Sequence, residues 1–329
     1  MGNLIAAISQ AYPPKPKWTP DLIPDLTDKV IIITGGNSGI GKETARELLA
    51  HNAKIYIATR SAARAADAIE ELKKATGKGD DRIQFLKLDL TDLGSIKAAA
   101  DEFTSKESRL DVLMNNGGVM IYNPDPANDI ERVSPSGLEI QFATTAFGHF
   151  YLTQLLLPLL IASAKTSPDK KARVVYVSSI SHLWSPKGEK GPIDYDTIVD
   201  GPVLKATPTA QLYSQASSAK ILLSSVLARR YADQGIVSVA VHPGAISTPI
   251  FRSTTSIIKR IADLLFLSSP WYGMLSPAFA ATTPEPGELN GKYLIPWARV
   301  GAVRPDHTDV AKQDQLWTWL EEKVKELAP

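Results

Sequence analysis

The stretch KVIIITGGNSGIG, residues 29 to 41, joins an apolar run to a glycine-rich turn. Its first half is dominated by β-branched residues and predicts a buried strand. The glycine-rich turn, TGGNSGIG (34 to 41), is followed by a helical pattern that starts near Lys42. Glycines let backbone N–H groups and a helix N-terminus approach a pyrophosphate closely. A strand, this turn and a helix in succession therefore predict a dinucleotide-binding site.

Further runs of strand-forming residues alternate with helical stretches along the chain. They are KIYIAT (54 to 59), RIQFLKLD (82 to 89), LDVLMNN (110 to 116), ARVVYVSS (172 to 179), IVSVAVHP (236 to 243) and GKYLIP (291 to 296). Runs that are apolar on both faces suit parallel strands covered by helices. We therefore predict an α/β fold: one doubly wound domain over 27–329, with a seven-stranded, mostly parallel sheet and helices on both faces, preceded by an N-terminal arm (1–26).

Composition excludes several classes of function. The chain has 329 residues, of which 44% are hydrophobic and 22% charged, as expected for a soluble globular protein. Lys plus Arg (36) balance Asp plus Glu (35), so we expect no nucleic-acid partner. The lack of Cys and of metal-ligand spacing among the five His residues argues against a metal site and suits a reducing, cytoplasmic location. Apolar runs such as LLLPLLIASA (155 to 164) are too short to predict a transmembrane segment.

The end of the second strand predicts which dinucleotide is bound. An acid about 20 residues after the turn would bind the ribose 2′-hydroxyl of NAD(H). No Asp or Glu occurs between Glu47 and Asp67, and Arg60 and Arg64 stand there instead. Arginines pair well with a 2′-phosphate, so NADP(H) is favoured over NAD(H). The alternative is that these arginines only solvate the start of a helix.

Together with the glycine-rich turn, five motifs carry a family resemblance: Asp89 after the third strand, NNGG (115 to 118), VSS (177 to 179), the Tyr213 helix and HPGAIST (242 to 248). Over most of residues 27 to 300 the chain resembles the short-chain dehydrogenase/reductase family, and specifically its retinol-dehydrogenase-like members. The resemblance implies a Rossmann-type fold and a catalytic tetrad of Asn, Ser, Tyr and Lys. It also implies cofactor contacts from Gly35, Asn37, Ser38, Gly39, Ile40, Gly41, Arg60, Asp89, Leu90, Asn116, Gly117, Tyr213, Pro243, Gly244, Ile246 and Thr248.

Half of the tetrad is replaced. By the resemblance, Ser179 hydrogen-bonds the substrate oxygen and Tyr213 is the general acid/base. Thr145 stands in place of the Asn, and Ser217 in place of the Lys four residues after the tyrosine. Lys220 lies about 10.5 Å along the helix from Tyr213, roughly a turn too far, and is expected to be a surface or snorkelling residue.

Other residues near these motifs have ordinary interpretations. His182 is a candidate replacement base, but the favoured interpretation is that it is an ordinary polar residue of a loop. His149 is expected to be a packed core histidine. The apolar segment 246–283 occupies the place of the family's substrate lid and implies a lipophilic small-molecule substrate; the alternative is a packing or dimer helix. The loop 184–210 is long for a connection and its residues Trp184, Asp194 and Tyr195 are candidates to face substrate.

Three functions are compatible with these features. The first is an NADP(H)-dependent oxidoreductase that acts on a lipophilic carbonyl or alcohol with Ser179 and Tyr213 alone. The second is a repurposed fold that catalyses a non-redox step such as isomerisation, cyclisation or dehydration. The third is a non-catalytic nucleotide-binding protein. The family resemblance also makes a homodimer possible.

Overall fold

The computed structural model describes residues 9–10, 12–121, 132–246 and 268–328. Within these ranges a single sheet has the strand order β3-β2-β1-β4-β5-β6-β7-β8. The strands are β1 (Val30–Thr34), β2 (Lys54–Thr59), β3 (Ile83–Lys87), β4 (Val112–Asn115), β5 (Ala172–Val177), β6 (Ile236–Val241), β7 (Tyr293–Ile295) and β8 (Arg299–Gly301).

The predicted α/β fold is confirmed, with one strand more than expected. The seven predicted strands pair in parallel, from Val30 opposite Lys54 to Val241 opposite Leu294. The eighth strand, β8, pairs antiparallel with β7 at the edge of the sheet. It consists of Arg-Val-Gly directly after a tight turn, so it shows no apolar run in the sequence.

Helices accompany the strands as the alternating pattern predicts. They are α1 (Gly39–Ala50), α2 (Ala62–Thr76), α3 (Leu93–Lys106), α4 (Ile140–Thr166), α5 (Pro202–Ala206), α6 (Thr209–Arg230), α7 (Pro270–Thr282) and α8 (Val310–Leu327). Side chains fix several helix starts: Ser61 accepts a hydrogen bond from the Arg64 amide, and Asp309 accepts from the amides of Ala311 and Lys312. Such caps satisfy amides that have no partner within the helix.

Alternate residues of the strands feed two separate apolar clusters. Ile32 packs with Phe150 and Trp317 in one cluster, whereas Ile31 and Ile33 pack in the other. Because successive strand side chains point to opposite faces, the two clusters lie on the two sides of the sheet. The core therefore consists of two layers that hold the strand ends rigidly beneath the loops.

Helix α4 is long and apolar enough to cross a membrane by length and composition, but 67% of its most apolar window is buried inside the fold. Phe150, Leu152 and Leu156 on this helix are completely or almost completely buried. It packs as a core helix of the domain. Its first turns include a π-helical segment, Ala143–Phe147, a feature that often marks functional sites.

The described part of the N-terminal arm lies against the domain. The Trp18 ring packs edge-on against Phe279 at a centroid distance of 5.6 Å, and Ile23 is buried. Gln10 is also buried and its side-chain oxygen accepts a hydrogen bond from Tyr293 at 3.4 Å. The arm thus contacts α7 and strand β7.

Candidate functional site

A cavity of about 660 Å³ opens where the C-terminal ends of β1, β2, β4, β5 and β6 meet their loops. The strand order reverses between β1 and β4, which is where open α/β sheets bind ligands. Its wall contains every predicted cofactor-binding and catalytic residue that the structure describes: Gly35, Asn37, Ser38, Gly39, Ile40, Gly41, Arg60, Asp89, Leu90, Asn116, Gly117, Ser179, Tyr213, Pro243, Gly244 and Ile246. Trp184, Asp194 and Tyr195, the candidates to face substrate from the loop 184–210, do not line it. Thr248, the remaining predicted cofactor-binding residue, lies outside the described residues.

The glycine-rich turn approaches the loop after β4 too closely for larger side chains. A Cβ on Gly41 would lie 2.5 Å from the Gly35 carbonyl oxygen and 2.6 Å from Nδ2 of Asn116. The Asn116 side chain donates to the Thr34 carbonyl at 2.8 Å, which ties the loop to the end of β1. Ser38, at the N-cap of α1, makes no side-chain capping bond, so the first helical amides face the cavity side of the turn without that competitor. This arrangement fits a pyrophosphate.

Two arginines lie at the end of the cavity beside β2. Arg60 and Arg64 both contribute to the wall, and the Arg60 side chain is 67% exposed. Among the described residues, the carboxylate oxygen that approaches the Arg60 guanidinium most closely belongs to Asp89, at 4.0 Å. An exposed pair at this distance is weak, so the guanidinium remains available to an anion.

A threonine at the end of β1 joins three elements. The hydroxyl of Thr34 accepts a hydrogen bond from the Gly117 amide at 2.8 Å and lies 2.8 Å from Nε2 of His149. The other ring nitrogen of His149 lies 2.9 Å from the Thr145 carbonyl oxygen. His149 is fully buried, and burial, with a contribution from the Lys220 charge, holds its pKa well below the ordinary value. It is the packed core histidine that the sequence suggested.

Ser179 and Tyr213 face the same cavity. Ser179 follows β5 and caps the 3₁₀ segment Ile180–Trp184 by accepting from the Ser181 amide at 3.2 Å. Burial raises the pKa of the Tyr213 phenol, while the neighbouring hydroxyls of Ser179 and Ser217 oppose the rise. No cation contributes to the pKa of this phenol in the part of the chain that the structure describes. At neutral pH Tyr213 is therefore a protonated hydrogen-bond donor.

Ser217, in the place of the expected lysine, is a hydroxyl link. Its hydroxyl donates to the Tyr213 carbonyl oxygen at 2.9 Å, one helical turn back, and accepts from the Ser181 hydroxyl at 3.0 Å. Its own carbonyl oxygen accepts from the Ser178 hydroxyl at 2.8 Å. Helix α6 is thereby fixed against the loop that carries Ser179.

Thr145, in the place of the expected asparagine, lies in the π-helical segment Ala143–Phe147 and in the cavity wall. Only 4% of the residue is exposed, and among the described residues its hydroxyl has no hydrogen-bond partner. A Cβ on Gly118 would lie 3.3 Å from this hydroxyl. A buried hydroxyl without a partner is costly, so Thr145 marks a place where a ligand or water atom would be stabilised.

Lys220 corrects the sequence-based expectation of a surface or snorkelling residue. It is 1% exposed and lines the cavity. Its ammonium donates to the carbonyl oxygens of Asn115 at 3.0 Å, Gly117 at 3.1 Å and Val177 at 2.9 Å. The side chain is buried because three backbone carbonyl oxygens, two at the ends of β4 and β5 and one in the loop after β4, accept all three hydrogens of its ammonium. Burial lowers the pKa of Lys220 to about 7.

His182 is not the polar loop residue that the sequence favoured. It is fully buried, its Nδ1 lies 2.9 Å from the Ser179 carbonyl oxygen, and its ring packs edge-on against Tyr293 and His307. Burial lowers its pKa to about 4. It is absent from the described cavity wall, so it acts behind Ser179 as a support and not as a replacement base.

The rest of the wall includes apolar residues that sequence reasoning missed: Val119, Met120, Ile140 and Ile180. Val119 and Met120 directly follow the NNGG motif in the sequence, and this position could have indicated that they line the cavity. Helix α7, the described C-terminal part of the predicted lid, is instead a buried helix packed against α1. Residues 247–267 of that lid lie outside the described residues. The described part of the chain contains no group of three or more His, Cys, Asp or Glu residues able to hold a metal ion.

Comparison with known proteins shows to which family the chain belongs. The model for short chain dehydrogenase matches residues 29–188. A short-chain dehydrogenase/reductase of Armillaria gallica is 42% identical over 326 residues, covering 99% of this chain and 100% of the relative. The chain belongs to the short-chain dehydrogenase/reductase family. Another member, from Phomopsis amygdali, is 36% identical and covers 98% of this chain and 97% of its own length.

Solved structures share the fold of this short-chain dehydrogenase/reductase. An uncharacterised protein of Mycobacterium paratuberculosis has a TM-score of 0.69 and 26% identity, over 95% of this chain and 99% of its own. Pseudomonas aeruginosa RhlG, solved as an NADP active-site complex, has a TM-score of 0.63 and 24% identity, over 83% of this chain and 95% of its own. The likeness to RhlG concerns the fold alone.

The close approach at Gly41 gives a direct test of the turn. Gly41→Ala should weaken dinucleotide binding at least about tenfold, because the added methyl group displaces the Gly35 carbonyl or the Asn116 side chain. Titration calorimetry with NADPH measures the loss. Gly287→Ala is the matched control, since a Cβ there meets nothing within 4 Å and affinity should not change. Equal affinity in both variants would place the nucleotide elsewhere.

Proposed function

We propose that the protein is an NADP(H)-dependent oxidoreductase that interconverts a carbonyl group and an alcohol on a lipophilic small molecule. The observation that carries the proposal is one cavity whose wall holds the glycine-rich turn, Arg60 and the pair Ser179 and Tyr213. The turn and the arginine would bind the nucleotide, and the pair would bind the reacting oxygen. Family membership supports the reaction class.

The cofactor preference rests on charge. The close-packed glycine-rich turn fits the pyrophosphate, and Arg60 with Arg64 would face the adenosine ribose. Guanidinium groups favour a 2′-phosphate, which is present in NADP(H) and absent from NAD(H). RhlG, which shares the fold, was solved with NADP. When bound, the reduced nicotinamide supplies a hydride to the carbonyl carbon.

Tyr213 and Ser179 would activate the carbonyl. The raised pKa of Tyr213 keeps its phenol protonated, so it can donate a hydrogen bond, and then its proton, to the carbonyl oxygen. Ser179 adds a second hydrogen bond to the same oxygen. Both groups stabilise the negative charge that develops on this oxygen in the reduction direction.

The proton would return to Tyr213 through serine hydroxyls. After Tyr213 has given its proton to the substrate oxygen, the Ser217 hydroxyl would turn away from the Tyr213 carbonyl oxygen and donate to the phenolate, and Ser181 would donate to Ser217 across their 3.0 Å hydrogen bond. Ser181 is partly exposed and takes a proton from solvent. This route uses the residue that replaces the family's lysine.

Apolar residues give the cavity its substrate preference. Val119, Met120, Ile140 and Ile180 line it together with Tyr213. Such a wall stabilises a lipophilic ligand by removing apolar surface from water, and it leaves hydrogen bonding to a few polar groups.

A non-redox reaction is the second candidate. The family's lysine, which would lower the pKa of the phenol, is replaced by serine at position 217, and the pKa of Tyr213 is raised. Incubation with NADPH and a panel of apolar aldehydes and ketones separates the candidates. Equal amounts of NADPH oxidised and alcohol formed support the proposed function. A product of unchanged oxidation level, formed without NADPH, supports isomerisation, cyclisation or dehydration. NADPH binding without turnover supports a nucleotide-binding role.

Removal of the phenolic hydroxyl tests the catalytic assignment. Tyr213→Phe should lower kcat for carbonyl reduction by about 100-fold or more, because the proton donor is lost, while NADPH affinity changes little. Ser179→Ala should lower kcat as well, because the substrate oxygen loses a hydrogen bond. Tyr231→Phe, a ring packed beside Trp317, is the control and should keep full activity. Wild-type kcat in Tyr213→Phe would contradict the assignment.

Removal of the positive charge of Arg60 tests the cofactor preference. Arg60→Ala should weaken NADPH binding about tenfold and leave NADH binding unchanged, because only the former carries the 2′-phosphate. Fluorescence titration with both nucleotides measures the two affinities. Arg229→Ala removes an exposed arginine paired with Asp314 and should change neither. Equal losses for both nucleotides would assign Arg60 another role.

Restoring the family's tetrad tests the replacements. In Ser217→Lys combined with Thr145→Asn, the new ammonium should lower the pKa of Tyr213. Alcohol oxidation at pH 7, which needs the phenolate as base, should then rise about tenfold or more relative to wild type. The pH dependence of kcat for oxidation and reduction measures this effect. An unchanged profile would mean that position 217 is not next to the reacting phenol.

A further inference from the structure

Lys220 is a buried cation at the meeting point of the three segments that build the reactive end of the cavity. It lies on α6, two turns after Tyr213. Two of its acceptors, the carbonyl oxygens of Asn115 and Gly117, belong to the end of β4 and the loop beyond it, and the third, that of Val177, ends β5. In the described part of the chain Lys220 makes no ion pair. Its positive charge is therefore stabilised by the dipoles of these three carbonyl groups.

The geometry of the helix explains how a residue so far from Tyr213 reaches this place. Cα–Cβ bonds of a helix tilt toward its N-terminus, so the Lys220 stem leans toward the turn that contains Ser217. The hydroxyl of Ser217 is directed to the Tyr213 carbonyl oxygen and to Ser181. A small residue at 217 and a long residue at 220 therefore share one face of α6.

Three acceptors at 2.9 to 3.1 Å use all three hydrogens of an ammonium group. Lys220 consequently has no hydrogen left for a ribose hydroxyl or for the Tyr213 phenol. Its contribution must therefore be to position the groups that it binds. Those groups are directly connected to the site: Gly117 contacts Thr34 through its amide, and Val177 precedes Ser178 and Ser179.

We propose that Lys220 is a positioning residue whose ammonium holds the loop after β4 and the loop after β5 at a fixed separation from α6. The loop after β4 carries Gly117, which lines the proposed nucleotide site. The loop after β5 carries the Ser179 hydroxyl, and α6 carries the Tyr213 phenol. This inference rests on the proposed function for its kinetic consequences. Its structural consequences are independent of that function.

Lys220→Met tests the proposal because it keeps most of the stem and removes every donor. Hydrogen exchange, measured without nucleotide, should become at least about tenfold faster in the amides of 116–121 and 178–184, because the loops lose their shared anchor. Lys220→Gln, which keeps two N–H donors on a shorter stem, should show an intermediate increase and serves if the methionine variant does not fold. Unchanged exchange in these segments in the folded variants would overturn the proposal.

Lys29→Met is the matched control at the opposite end of the sheet. Lys29 donates to Asp111 at 3.3 Å and to Ser167 at 3.0 Å, so its loss also removes a partly buried ammonium. This variant should leave exchange in 116–121 and 178–184 at the wild-type rate. A similar increase in both variants would show a general loss of stability and would overturn the specific role of Lys220.

Kinetics separate positioning from proton transfer. At pH 6, below the pKa of about 7 of Lys220, where its ammonium keeps all three hydrogens, Lys220→Met should weaken NADPH binding about tenfold and lower kcat, while the solvent deuterium isotope effect on kcat for reduction stays as in wild type. Ser217→Lys in the Lys220→Met background should not recover the exchange rates, because an ammonium at 217 cannot bind the same three carbonyls. Recovery of the exchange rates would show that a cation at position 217 can anchor the loops and would overturn the specific role of Lys220. If wild-type protein binds no NADPH, the proposed function fails, and the exchange experiment still tests the anchor.

Discussion

The site depends on how closely the glycine-rich turn and the loop after β4 approach each other. Gly41 has no room for a Cβ because the Gly35 carbonyl and the Asn116 side chain fill that space. The Thr34 hydroxyl then joins the Gly117 amide to the buried His149 ring. These contacts turn the separated ends of two parallel strands into one continuous surface. The other predicted cofactor-binding and catalytic residues that the structure describes line the same cavity as this surface.

Most of this arrangement could be predicted from the sequence because strand pattern and turn chemistry agree. Apolar runs with helices between them require a covered parallel sheet, and a parallel sheet gathers the loops after its strands at one edge. Residues as distant in sequence as Gly35, Ser179 and Pro243 therefore had to meet. The β8 strand escaped prediction because three residues at a sheet edge carry no periodic signal.

The errors concern polar side chains whose burial depends on partners that the sequence does not reveal. Lysine is almost never fully buried and histidine is buried only in part of its occurrences, yet backbone carbonyls accept the hydrogens of Lys220, and the Ser179 carbonyl lies beside Nδ1 of His182. Helical spacing gave the distance of Lys220 from Tyr213 along the helix but did not show that backbone carbonyls at the ends of β4 and β5 would accept its hydrogens. Tertiary hydrogen bonding, which pattern analysis does not register, decided both cases.

The position of the positive charge determines what the phenol can do. A lysine one turn from Tyr213 would stabilise the phenolate and so serve the reaction in both directions. Lys220, with its hydrogens committed to carbonyl oxygens, stiffens the same part of the fold and does not contribute to the pKa of Tyr213. The phenol therefore remains an acid. In the proposed reaction, an acid beside Ser179 promotes transfer of a hydride to a carbonyl group but is a poor base toward an alcohol, so we expect reduction to be faster than oxidation at neutral pH.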